Sequence, residues 1–317
     1  MSAHVVGPGA VGPLGAPLGE GGQARVYHAP HITLPDVRGP LVYKRYKAGH
    51  APPHGLAAVV ARRLRMDERT RQRLDRTTAW PVRVVEEGGE VRGVLMPLIP
   101  DDYFEERVKP SGVRARTLRE VQHLFVEPAR AARLGMPAPT TAERLLVCRD
   151  LAAVVHLLHG NDMVIGDLNP MNAVFRLADR PCVMLVDCDS IRIKGAAAVV
   201  RQLNAPDWAP PENVLSQASD RYKFGLFVLR CLSPGPFASV ARDPSRVDHV
   251  LPGEGPRLLR AALDRDPGAR PSARTWGRYF DALLTGSAVG SGARPDAAGT
   301  TSGWRRDPGT GRWVPVT

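Results

Sequence analysis

Two neighbouring segments, VIGDLNPMN (164–172) and MLVDCDS (184–190), bring three oxygen-bearing side chains close together along the chain: Asp167, Asn172 and Asp187. The intervening AVFRLADRPCV reads as a short hairpin, which would set all three at the mouth of one small sheet. A carboxylate can take up a hydroxyl proton, and a second carboxylate with an amide oxygen can hold Mg2+. That set meets the needs of phosphoryl transfer: a positioned nucleophile, bridged phosphates and neutralised charge. The competing reading is that these carboxylates only cap turns.

A second constellation lies near the N-terminus. In LGEGGQARVY, Gly19, Gly21 and Gly22 fall between two strand-like runs, flanked by Leu18 and Val26. Glycines let a backbone approach a phosphate chain closely and adopt angles that a Cβ forbids, although a plain hairpin is the competing reading. Downstream, LVYK places Lys44 at the end of an apolar strand, with Lys47 as a competitor and a surface lysine as the plainer alternative.

The elements that must position these residues follow from the apolar periodicity. Ala16–Gly19, Ala24–His28 and Gly39–Lys47 read as short strands, as do Val82–Val85 and Val91–Ile99 around the turn-like EEGGE. Gly55–Arg76 has helix-forming content. Thr141–His159 carries leucines, valines and alanines at helical spacing, with Thr141 and Glu143 near its start. Met163–Ile165 and Cys182–Val186 are short β-branched runs, and Lys223–Leu232 is apolar nearly all round, as a buried helix must be. Helical patterns recur over Pro256–Leu263 and Ala273–Leu284. The Gly/Pro/Ala-rich residues 1–15 read as a mobile lead-in, and GSAVGSGARPDAAGTTSG opens a flexible tail that ends in the two tryptophans of GWRRDPGTGRWVPV. The expected organisation is a strand-rich part over 16–100, a helical part over 101–285, and a tail over 286–317.

Composition narrows the class. The 317 residues are 43% hydrophobic and 24% charged, within the ordinary globular range. Four scattered cysteines without a C-x-x-C pair argue against a disulfide framework or a zinc site. Apolar runs fall short of the about 18 residues that a membrane span needs, and the first residues make a poor signal peptide. A cytoplasmic protein without membrane contact is expected. The net charge of +11 attracts acidic partners and phosphates; no zinc-finger or RNA-binding signature supports nucleic acid as a partner.

With these motifs in place, the chain resembles the protein-kinase superfamily. GDLNPMN is similar to the kinase catalytic loop H-R-D-L-x-x-x-N, with Asp167 at the catalytic aspartate, Asn172 at the metal-binding asparagine, and Asn169 where a lysine would neutralise the γ-phosphate. DCD resembles D-F-G, with Asp187 as the metal aspartate. The glycine segment matches G-x-G-x-x-G-x-V at Gly19, Gly21 and Val26, with Ala24 for the third glycine, and Lys44 stands where kinases hold the α/β-phosphates. GVLMPLIP looks like the strand and hinge that lie against adenine, which would put Met96 and Leu98 there. DWAPPE, SDRYKFG and LDRDPGARPSA resemble later protein-kinase segments, implying an ion pair between Glu212 and Arg270. The resemblance implies an α+β, two-lobed kinase-like fold: a small antiparallel N-lobe sheet and a mainly helical C-lobe, with ATP and Mg2+ between them. It further implies transfer to protein Ser/Thr. Within the superfamily, AWP, GVLMP, GDLN, DCDS and PPE look like a divergent bacterial branch whose members are associated with von Willebrand-type and PP2C-phosphatase partners.

The departures from the pattern define the alternatives. Ile165 and Gly166 replace His-Arg, so regulation through a phosphorylated loop is not expected, and Ser190 is the one hydroxyl candidate there. No acidic residue lies between Gly55 and Met66, where kinases keep the glutamate that pairs with the strand lysine. Either Glu68 serves, or Lys44 finds Asp187, or activity is weak. Arg62, Arg63, Arg65, Arg69, Arg71, Arg73 and Arg76 read as a solvated face or as a dock for an acidic partner. Asp189 is either a second Mg2+ ligand or a solvated turn residue, and Cys188 a packed small hydrophobe. The alternatives to a Ser/Thr kinase are a pseudokinase acting as a nucleotide-binding signalling scaffold and a small-molecule phosphotransferase. The Glu212, Asp220 and Arg270 segments disfavour the latter.

Overall fold

The computed structural model describes residues 4–52, 55–108, 111–177, 180–194, 206–286, 304–306 and 313–315. The chain divides into two compact units: Met1–Pro100 with Leu158–Asp167 and Met184–Leu203, and Asp101–Leu157 with Leu168–Val183 and Asn204–Thr317. Content is mixed α and β, compatible with a kinase-like fold.

The first unit is built on β1 (Val5–Val6), the one-turn α1 (Pro8–Val11), β2 (Pro17–Glu20), β3 (Ala24–Ala29), β4 (Leu41–Tyr46), α2 (Leu56–Leu64), α3 (Glu68–Thr77), β5 (Arg83–Glu87) and β6 (Glu90–Pro97). The sheet order is β1-β5-β6-β4-β3-β2. Strands β2 to β6 pair antiparallel, and β1 adds a parallel edge strand, Val5 against Val84 and Val6 against Val85. Side chains alternate across β4 because a strand has a period of two. Leu41 and Tyr43 join Leu95, Val85, Ile32 and Val11 on one face. Val42 and Tyr46 join Val94, Met96, Ala24, and Leu56 and Val60 of α2, on the other. The residues expected to be a mobile lead-in are therefore partly structural: Val11 is buried and caps one face of the sheet. Its single apolar side chain gave no periodicity to read.

The helix-forming stretch 55–76 folds as two helices. Asp67 supplies the stop and restart, its carboxylate accepting the Thr70 N–H at 2.9 Å as the N-cap of α3. Arg63 departs from the expected solvated face: it is wholly buried. Its Nε and Nη2 donate to both oxygens of Asp75 at 2.7 Å, and Nη1 donates to Asp36 at 2.5 Å. Arg83 donates to the other Asp36 oxygen at 2.5 Å. Burial opposes the charge on Asp36, but the two guanidiniums outweigh it and hold the carboxyl down at about 2.

In the same unit, Thr78 bridges Leu185 and the Ala79 N–H donates to the Leu185 carbonyl at 2.8 Å. Arg192–Ile193 pairs antiparallel with Met163–Val164. These bonds fix both ends of the turn that carries Asp187.

The second unit contains a hairpin of β7 (Phe104–Val108) and β8 (Arg114–Leu118), which the sequence did not announce, then α4 (Pro128–Arg133), α5 (Thr141–His159), α6 (Gln217–Leu232), α7 (Gly255–Ala262) and α8 (Ala273–Leu284). A capping box of Ser216 and Ser219 starts α6. Its Phe224 meets Trp276 of α8 edge-on at 5.8 Å, and Trp276 stacks on Phe280 at 5.4 Å. Of the expected tail 286–317, only Gly286 and the antiparallel pair 304–306 and 313–315 fall within the described residues. Among the described residues, no helix is long and apolar enough to cross a membrane.

Candidate functional site

Lys44 lies on the α2-facing side of β4, two residues from Val42 and two from Tyr46. It is 9% exposed, whereas its competitor Lys47 sits at the rim and pairs with Glu20 at 2.8 Å. The backbone opposite leaves no room: a Cβ on Gly93 would stand 2.2 Å from the Lys44 carbonyl oxygen, so β6 can approach β4 here only through glycine. The Lys44 ammonium donates to Asp187 and, at 2.8 Å, to Asp189 Oδ1. Burial disfavours its charge, but Asp189 and Asp187 outweigh that and hold the ammonium above the usual lysine range.

The two aspartates differ. Asp187 stands in the left-handed region, φ 58° and ψ 36°, and starts a 3-10 turn over Cys188–Ser190. Its side chain keeps 45% of its surface open, against 7% for Asp189. Both Asp189 oxygens are engaged, Oδ1 by Lys44 and Oδ2 by the Tyr46 hydroxyl at 2.5 Å. Burial works against the charge on Asp189, yet Lys44 and Tyr46 hold it below the usual carboxylate range. Asp187 is pushed up by burial and by its charged neighbour Asp189, more than Lys44 brings it down. Asp189 is therefore not a solvated turn residue: it is buried and each of its oxygens already accepts a hydrogen bond. Cys188 is buried, donates weakly to the Leu185 carbonyl at 3.5 Å, and has its thiol pushed up by burial, as a packed hydrophobe would.

The glycine segment is the β2–β3 turn, closed by Gly21 N–H to the Ala24 carbonyl at 2.9 Å. None of Gly19, Gly21 and Gly22 has a positive φ. A Cβ on Gly19 or Gly22 would meet nothing within 4 Å, and one on Gly21 would meet only the Ala24 oxygen at 4.0 Å. The hairpin itself makes no demand for these glycines. Register continues the site across the sheet, with Val26 opposite Lys44 and Val42 opposite Met96. Val26 and Leu98 pack against the same cluster as Met96, and Leu18 stays 53% exposed on β2.

In the second unit, Arg270 is buried and grips Glu212 through two bonds, 2.6 and 2.7 Å, with its guanidinium 5.0 Å from the Tyr222 ring centre. Burial opposes the charge on Glu212, but Arg270 holds its carboxyl below the usual range. The ion pair expected from the sequence is present, and Asp220 is fully buried at the start of α6.

Over 123 residues, the chain is 30% identical to a serine/threonine-protein kinase-like protein of Arabidopsis thaliana. The likeness is to a kinase-like protein. It covers 37% of this chain and 36% of that relative, so the match spans about a third of each. No protein-family model matches.

The remaining kinase-like positions are placed as follows. Asp167 belongs to the first unit, half-buried after a left-handed Gly166 (φ 71°), with its N–H donating to the Ile165 carbonyl at 2.8 Å. Asn169 and Asn172 belong to the second unit. The Asn169 carboxamide oxygen accepts the N–H groups of Met171 and Asn172 at 2.9 and 3.1 Å, so it shapes the loop from within. Glu68 accepts from Gln72 at 2.8 Å in the first turn of α3, and Lys44 has its carboxylates on the Asp187 turn instead. Among the described residues, no three His, Cys, Asp or Glu side chains gather as a metal site. Mg2+ takes oxygen donors and rarely an all-protein cage, and the half-open carboxylate of Asp187 is a donor of that chemistry. Tyr46 belongs to none of the motifs in the sequence. Its signal was the period of two, which puts residue 46 on the face of residue 44.

Proposed function

We propose that the chain is a protein-kinase-like phosphotransferase that moves the γ-phosphoryl group of ATP to a protein Ser or Thr hydroxyl. The observation that carries this is a buried lysine, paired with Asp187, on the sheet face that continues into a glycine turn whose glycines the fold does not require. Lys44 binds the α/β-phosphates, and the backbone of residues 19–22 covers the triphosphate. Val26, Met96 and Leu98 offer apolar surface to the base, with Leu18 at its edge. Asn172 and Asp187 are the residues that would hold Mg2+, which would offset the charge of the phosphates. Asp167 orients the acceptor hydroxyl and takes its proton as the new P–O bond forms and the bond to ADP breaks. The net charge of +11 suits an acidic protein substrate.

A nucleotide-binding scaffold without transfer is the second reading. It is favoured by Asn169, which is turned into its own loop and offers no cation to the γ-phosphate. Incubation with Mg2+ and γ-labelled ATP, with a generic protein acceptor, separates the two. Label on protein that disappears in Asp167→Ala and in Asp187→Ala is the expected result. Thermal stabilisation by nucleotide with no label transferred would leave the scaffold.

A further inference from the structure

A buried lysine that must meet a triphosphate needs a counter-charge that stays when the ligand arrives. Helix α2 offers no carboxylate, since LAAVVARRL contains none, and Glu68 is engaged within α3. Asp187 cannot fill the role by itself. It is half open to solvent and, on the reading above, is handed to the metal. What remains is Asp189, buried and bonded to Lys44 by one oxygen and to Tyr46 by the other. Tyr46 shares the strand face of Lys44, its ring centre 5.9 Å from the ammonium. The Asp189 turn also packs against α2, the helix that would otherwise carry the carboxylate.

We propose that Asp189, fixed by the Tyr46 hydroxyl, is the positioning residue that anchors Lys44 for phosphate binding, in place of a helix carboxylate. The nucleotide part rests on the proposed function; the anchoring part does not. With one oxygen on Lys44 and the other on Tyr46, Asp189 holds the ammonium, and the half-open Asp187 is the carboxylate left for the metal. Lys44 is shared between a releasable partner, Asp187, and a permanent one, Asp189. Were Asp187 to hold a metal, Asp189 would keep the ammonium aimed and neutralised.

Two measurements on the full chain test this. The first needs no nucleotide: brief acetylation of the apo protein with acetic anhydride, with Lys44 modification read by mass spectrometry against Lys47 as an internal reference. Asp189→Asn should raise Lys44 labelling about tenfold. Tyr46→Phe, which keeps the ring and loses one bond, should raise it two- to threefold, and Asp187→Asn should leave it within twofold of the wild type. Equal labelling in Asp189→Asn and the wild type, or a larger rise in Asp187→Asn, overturns the anchor. Tyr46→Phe decides the matter should Asp189→Asn melt early: no rise there also overturns it. The second measurement is calorimetric titration with ADP in the absence of metal, where Asp189→Asn should bind about tenfold more weakly; equal binding by Asp189→Asn and a wild type that does bind overturns the anchoring of Lys44 for phosphate. A wild-type chain that fails to bind ADP, with or without Mg2+, overturns the nucleotide reading, while the labelling pattern judges the anchor separately.

Discussion

The first unit buries two cations in opposite ways. Arg63 is enclosed by Asp36 and Asp75, its guanidinium spread over two carboxylates and a carbonyl, with no surface left open. Lys44 is a single ammonium shared by two aspartates, one of them half exposed. A planar fork satisfied on every side is a fixture, whereas a point charge with one solvent-facing partner can exchange that partner at low cost. Burial of a cation does not by itself mark a functional site; the openness of its counter-ion distinguishes the two here.

The widest separation should come from removing each cluster in turn. Arg63→Met takes the guanidinium away from Asp75 and leaves Asp36 to Arg83 alone, and should cost about 3–5 kcal/mol of unfolding free energy in urea titrations. Asp187→Asn should leave that free energy within about 1 kcal/mol of wild type while lowering phosphoryl transfer by about 10²–10³-fold. If Asp187→Asn proves the more destabilising, the contrast between fixture and exchangeable pair is lost. A smaller effect sharpens the fixture side. The Asp36 carboxyl lies at about 2 in the folded chain, below its ordinary value near 4. Its contribution is fully present above the unfolded value and is lost as pH falls from about 4 through about 2, a span worth about 2.5 kcal/mol unscreened and about 1–2 kcal/mol once solvent screening of this part-exposed group is counted. Urea midpoints taken between pH 5 and pH 2 should show Asp36→Asn with a flatter acid limb than wild type. The smallest effect tests the glycine turn. Gly22→Ala meets no atom within 4 Å and should shift stability by less than about 0.5 kcal/mol while raising the KM for ATP several-fold. An unchanged KM would leave the turn a plain hairpin.

Much of this arrangement could be read in the residues. Strands β3 to β6 followed from their apolar runs, and α5 and α8 from helical periodicity, because each buries a regular stripe. The pairing of Glu212 with Arg270 was legible only through the resemblance of their segments to those of protein kinases. What escaped were contacts with no period. Arg63 looks like its six exposed-type neighbours in an arginine-rich run, and only the return of the chain with Asp36 and Asp75 makes it internal. The fold of the first residues was hidden because a two-residue strand has no pattern. Asp189 was the hardest to read, since a second acid after D-C is equally at home on a metal, in water or, as here, under a lysine and a tyrosine.

The short parallel strand at Val5–Val6 has a practical consequence. It stands outside β5, so a shortened chain that starts at the glycine turn would leave the backbone of β5 unpaired along that side. It would also uncover the apolar face that Val11 closes. An open strand of that kind recruits strands from other molecules. Trimming what looks like a dispensable leader would therefore expose an edge open to self-association.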